Sequence, residues 1–154
     1  MQAYLVQHGE AKRKEEDADR PLTEKGQQDV GRLAGFLGGA GVRVGEIWHS
    51  GKTRASQTAG ILAGAVGTAG TERQYDGLGP EDDPGPMANE LDEMEQDVML
   101  VGHMPFMGAL AALLLVDDEE EELVAFRPGA VLCLERMEVG AWQVRWMVAP
   151  ELLG

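Results

Sequence analysis

Three separated segments of this chain each follow a strand-like apolar run with a residue suited to handling an oxyanion. His8 ends Tyr4-Leu5-Val6-Gln7-His8 and is followed by Gly9-Glu10. His103 follows Val98-Met99-Leu100-Val101-Gly102 and precedes Met104-Pro105. Arg54 lies within Ser50-Gly51-Lys52-Thr53-Arg54-Ala55-Ser56-Gln57-Thr58-Ala59, directly after another such run. In an open α/β sheet, groups just beyond the carboxyl ends of strands meet in one crevice. Two imidazoles and a guanidinium gathered there suit phosphoryl chemistry. A neutral imidazole can attack phosphorus in line, and a guanidinium can clamp two phosphoryl oxygens while staying charged at any physiological pH.

The elements that must position these residues are legible as periodicity. Strands are expected at about 2–7, 43–49, 71–75, 97–102, 130–136 and 142–148, the last placing Trp142, Val144 and Trp146 on one face and Gln143, Arg145 and Met147 on the other. Gly140 favours a hairpin between the final two, hence an antiparallel edge. A helix from Glu24 to about Gly38 carries the stripe Val30, Leu33, Ala34 and Leu37, with Thr23 as N-cap. Another spans about Lys52 to Val66, with Ser50 as its cap. A third runs from Pro105 to about Val116, proline suiting the first turn where its missing N–H costs nothing. A shorter helix is expected near 86–95. Strand–helix alternation predicts a single three-layer α/β domain over residues 1–154, mainly parallel, with helices on both faces. The longest irregular stretch is expected at Gly77–Pro86.

Four segments, in order, resemble the histidine phosphatase superfamily, most of all its small bacterial phosphohistidine phosphatases: Gln7-His8-Gly9-Glu10-Ala11, Arg20-Pro21-Leu22-Thr23-Glu24-Lys25-Gly26, Ser50 to Ala59, and Val101-Gly102-His103-Met104-Pro105. They span the first two thirds of the chain. One departure matters: Gln7 stands where the family motif has arginine. The resemblance implies a phosphatase acting through phospho-His8, with His103 and Arg54 also catalytic, and with Gln7, Gly9, Arg20, Arg54 and His103 contacting phosphate. It implies no metal or cofactor.

Each residue also reads from its own chemistry. The nitrogen of His8 opposite the attacking one needs a backbone carbonyl to fix it, for which Gly9 is the candidate; Gly9 also allows a sharp turn and close approach to phosphate. Arg54 sits beside a helix N-terminus, where anions bind. His103 suits stabilising phosphoryl charge, as an imidazolium or a hydrogen-bond donor. A general acid is not evident; Glu81, Asp82 and Asp83 lie in a suitable loop. Its absence favours a phosphohistidine substrate, because a protonated phosphoramidate expels neutral imidazole without further help. Gln7 removes a positive charge and a bidentate fork, a loss of roughly 1.5–3 kcal/mol, equivalent to a roughly 10–100-fold slower reaction. Two other readings therefore stand beside the phosphohistidine phosphatase: a weak or inactive module that binds a phosphorylated partner, and a phosphatase of small phosphomonoesters. The expected partner is a phosphohistidine-bearing protein such as a phosphotransfer domain, or a small phosphate ester.

Composition bounds the rest. The 154 residues are 44% hydrophobic, which excludes a disordered chain. No apolar run approaches the ~20 residues of a membrane span. Acidic residues outnumber basic ones 27 to 13, for a net charge of −14, which disfavours nucleic acid and anionic membranes. The run Asp117 to Glu122 reads as a solvated loop. A single cysteine, Cys133, forms no internal disulfide and fits a reducing, cytoplasmic setting; in an apolar strand it is expected to be buried and inert.

Overall fold

The apolar alternation resolves into six strands and four helices in a computed structural model that describes residues 1–68 and 70–154. In chain order these are β1 (Gln2–Gln7), α1 (Glu24–Gly39), β2 (Ile47–His49), α2 (Thr53–Val66), β3 (Glu72–Gln74), α3 (Gly85–Glu93), β4 (Val98–Gly102), α4 (Phe106–Val116), β5 (Val131–Arg136) and β6 (Trp142–Val148), followed by a short 3-10 turn at Pro150–Leu152. The sheet order is β3-β2-β4-β1-β5-β6. β3, β2, β4 and β1 run parallel, and β5 and β6 add an antiparallel edge.

Alternate side chains of each central strand feed opposite cores. Tyr4, Val6, Ile47, Met99 and Val101 pack under α1 and α2. Ala3, Leu5, Trp48, Val98 and Leu100 pack under α3 and α4. β1 and β4 are buried on both faces, which is why they read as continuous apolar runs rather than alternating ones. Thr23 caps α1 as expected, its hydroxyl accepting from Gly26 N–H at 2.9 Å.

Three expectations change. α2 begins at Thr53 after Lys52, and Ser50 is not its N-cap; the serine hydroxyl turns toward β4 instead. The longest irregular stretch is 8–23 rather than 77–86, and it is pinned by a bridge between Ala11 and Leu22. Finally, Trp142 and Trp146 lie on opposite faces. The register slips between Cys133/Trp146 and Leu134/Val144, leaving Arg145 as an extra residue in β6. A bulge of this kind inverts the alternation beyond it. Trp142 therefore joins the α3–α4 side, its indole N–H donating to Asp92 at 2.8 Å, while Trp146 packs against Tyr4 on the other side.

Candidate active site

β1 and β4 are neighbours in register, Gln7 opposite Gly102, so the residues that leave their ends emerge side by side. His8 N–H donates to the Gly102 carbonyl at 3.0 Å and locks the two exits together. The rings of His8 and His103 consequently lie 5.0 Å apart, centroid to centroid, tilted by 55°. Nδ1 of His8 is 2.7 Å from the Gly9 carbonyl oxygen. A carbonyl only accepts, so Nδ1 carries the proton and Nε2 keeps its lone pair.

Gly9 holds the nucleophile candidate and has no free donor for phosphate. Its amide N–H is taken by Thr58 Oγ1 at 3.0 Å and its carbonyl by His8. Its need to be glycine is also one of packing rather than turning: a Cβ would lie 2.7 Å from a Val30 methyl.

His103 is almost fully buried, with Ser50 Oγ 2.6 Å from its Nε2 and no partner for Nδ1. Burial pushes His8 down to about 4 and His103 to about 3, with the charges of Arg54 and Arg20 adding in the same direction and His8 adding to the shift of His103. Both rings are therefore neutral at pH 7. In the ligand-free site His103 is not the imidazolium considered above; an arriving dianion is what would raise it.

Cations surround the pair. Arg54, on the first turn of α2, has its Nε buried without a partner, and its pKa is lowered first by burial and then by Arg20. Arg20 is held in the left-handed region at φ 49°, with Nε donating to the Lys12 carbonyl at 3.0 Å. Strain of this kind in a non-glycine residue persists where the surroundings demand it. Lys52, which sequence reasoning passed over, also acts on His103. Gln7 is half-buried, and its Oε1 has no donor. Of four buried, unpartnered side-chain atoms among the described residues, three belong to residues expected at the phosphate: Gln7 Oε1, Arg54 Nε and His103 Nδ1. An unpaired buried polar atom costs about 1–3 kcal/mol, and such a concentration marks a place where a polar ligand completes the bonding.

Asp82 and Asp83 accept from Gly79 and Gly85 N–H at 2.7 and 2.9 Å and thereby cap their own loop. Glu81, Asp82 and Glu119–Glu122 line a groove of about 620 Å³ together with Met104 and Pro105. His49 accepts from Gly51 N–H at 3.1 Å, shaping the turn that presents Ser50. Cys133 is buried, which pushes its thiol up to about 11. Among the described residues no three His, Cys, Asp or Glu side chains are grouped so as to hold a metal, and no helix is long and apolar enough to cross a membrane.

Sequence reasoning missed two hydroxyls, Thr58 and the pairing role of Ser50. Thr58 had a signal: it is a polar residue on the apolar stripe of its helix, one turn after Arg54 and fully buried.

Comparison with known proteins agrees with this geometry. A family model described as the histidine phosphatase superfamily (branch 1) matches residues 3–76. An uncharacterised protein of Picosynechococcus sp. (strain ATCC 27264 / PCC 7002 / PR-6) is 36% identical over 119 residues, covering 72% of this chain and 71% of the relative. The phosphohistidine phosphatase SixA of Escherichia coli (strain K12) is 24% identical over 155 residues, covering 97% and 94%. The solved structure of the protein histidine phosphatase SixA complexed with tungstate superimposes with a TM-score of 0.88 at 25% identity, over 100% of both chains.

Proposed function

The chain belongs to the histidine phosphatase superfamily, and from that premise we propose that it hydrolyses protein phosphohistidine through a phospho-His8 intermediate, without a metal. The observation that carries this reading is the committed tautomer of His8: Nδ1–H is fixed on the Gly9 carbonyl and Nε2 is free, on a ring that is neutral at pH 7. The Nε2 lone pair forms the new N–P bond, in line with the N–P bond that breaks. The departing imidazole takes that electron pair and leaves neutral, because its other nitrogen already carries a proton. Positive charge developing on the His8 ring is met by the Gly9 carbonyl through Nδ1–H. Water then adds to phosphorus, the P–Nε2 bond breaks, and dihydrogen phosphate and neutral His8 result. No separate acid enters either step.

Arg54, Arg20 and His103 hold the phosphoryl oxygens in this scheme, the unpartnered Arg54 Nε and His103 Nδ1 offering donors to a charge that grows in the transition state. The relative that takes tungstate, a tetrahedral oxyanion, supports the same assignment. The Gln7 departure favours a second reading, a module that binds a phosphorylated partner without turnover, since one fixed charge is missing from the site.

Brief exposure to a phosphodonor tests the proposal. It expects an acid-labile, base-stable label that His8→Ala abolishes, and faster turnover of a phosphorylated histidine-phosphotransfer domain than of an aryl phosphate. Chelators should change neither. Binding without label formation would select the second reading; dependence on added Mg²⁺ or Zn²⁺ would overturn the metal-free scheme.

A further inference from the structure

Gly9 links the His8 imidazole, through its carbonyl, to Thr58, through its N–H, and Thr58 in turn bonds the Arg54 main-chain carbonyl. His8 Nδ1–H donates to the Gly9 carbonyl at 2.7 Å, Gly9 N–H donates to Thr58 Oγ1 at 3.0 Å, and the Thr58 hydroxyl donates to the Arg54 carbonyl at 2.8 Å. Thr58 has no solvent exposure and sits in α2 beside Ala55, Ala59 and Leu62, on the face that enters the apolar core. A helical threonine bonded to the carbonyl four residues back gains little for its helix and slightly weakens it. An alanine or valine would suit the packing as well. The hydroxyl is what the site uses: it accepts from one strand exit and donates to the adjoining helix turn at the same moment.

We propose that Thr58 is a positioning residue, which fixes Gly9 so that the Gly9 carbonyl keeps His8 in its Nδ1–H tautomer with Nε2 aimed at phosphorus. The proposal rests on the reading of His8 as the nucleophile. Gly9 is clamped from two directions. Val30, Leu22 and Gly26 press on its Cα side, too close to admit a methyl group, and Thr58 holds its N–H. Removing the hydroxyl strands that buried N–H, so the His8–Gly9 peptide that carries it turns in search of another acceptor, which changes φ of Gly9 and re-aims the carbonyl of the next peptide. The carbonyl then leaves Nδ1, and the Nε2–H tautomer, which has no lone pair to offer phosphorus, becomes populated. Phosphate affinity should change little, because the guanidiniums of Arg20 and Arg54 remain in place.

The variants Thr58→Val, Thr58→Ser and Thr58→Cys decide the matter. Valine keeps the shape and deletes both bonds, serine keeps the hydroxyl, and cysteine keeps the size with only weak hydrogen bonding. Nitrogen-15 NMR of the imidazoles in the ligand-free protein should report a single Nδ1–H tautomer for His8 in wild type and Thr58→Ser, and a mixture in Thr58→Val. Turnover by Thr58→Val should fall by about 10–100-fold, the scale of a misplacement near 1 Å, with KM within about twofold. If Thr58→Val fails to fold, Thr58→Cys carries the same test and should show the tautomer mixture. A single unchanged His8 tautomer in either variant overturns the proposal, as does a loss of turnover that Thr58→Ser does not rescue. The NMR arm needs no turnover, so an inactive wild-type protein would refute the nucleophile reading while the tautomer still decides the role of Thr58.

Discussion

Lowering the pH from 7 to 5 should destabilise the folded chain through its two site histidines. Both folded-state values, about 4 for His8 and about 3 for His103, lie below the ordinary histidine value of 6.5, so the folded chain binds fewer protons than the unfolded one. Stability is therefore whole above about pH 6.5 and is lost as the pH falls toward the folded values. For a group displaced as far as His8, the loss reached by pH 5 is about 2 kcal/mol. His103 acts in the same direction, but its ring is only 5.0 Å from His8, so the two do not charge independently. Allowing for that coupling, the pair together should cost about 3 kcal/mol at pH 5. That is a large part of the 5–15 kcal/mol that holds a typical domain folded. Urea unfolding at half-unit steps from pH 7.5 to 5, for wild type and for a His8→Gln, His103→Gln double variant, measures the difference. Saturating inorganic phosphate should flatten the wild-type slope, since an oxyanion favours the protonated rings. Equal slopes in the two proteins would refute the argument that these imidazoles are held neutral by burial.

Gln7→Arg should raise aryl phosphate turnover about tenfold or more by restoring a charged phosphate contact, an effect absent in a His8→Ala background; unchanged turnover would mean that Gln7 does not serve the phosphate. Ser50→Ala removes the hydroxyl 2.6 Å from His103 Nε2 and should weaken inhibition by tungstate by about tenfold with little change in the urea midpoint, as loss of one hydrogen bond to an unpinned donor predicts. Gly26→Ala should destabilise by about 3 kcal/mol, because a Cβ there overlaps the Glu10 carbonyl oxygen and neither backbone segment can yield; circular dichroism melts read this directly.

The histidines and Arg54 were legible because each stands at the end of an apolar run, and β1, β2 and β4 lie side by side in one parallel block. Helix limits were legible to within a residue or two for the same reason, since the stripe on α1 ends where burial ends. What escaped were features that depend on two distant segments meeting. Ser50 reads as a cap by its neighbours in sequence, and only the arrival of β4 turns its hydroxyl to His103. Gly9 reads as a phosphate turn, and only α2 reveals that its N–H is already bonded. The extra residue at Arg145 leaves no mark in the alternation of Trp142, Val144 and Trp146; the slip is visible only against β5.

That slip bears on how the molecule behaves among its own copies. An open sheet has two rims, and each is an invitation to further strands unless something spoils it. Here β3 offers only three residues, with Arg73 and Gln74 exposed. β6 is longer, but its run of backbone donors is broken at Arg145, whose guanidinium reaches back to Glu135 at 3.2 Å. Neither rim presents a long, flat, uncharged template. The bulge that re-aims a tryptophan thus also guards a crowded solution against growth of the sheet from one molecule to the next.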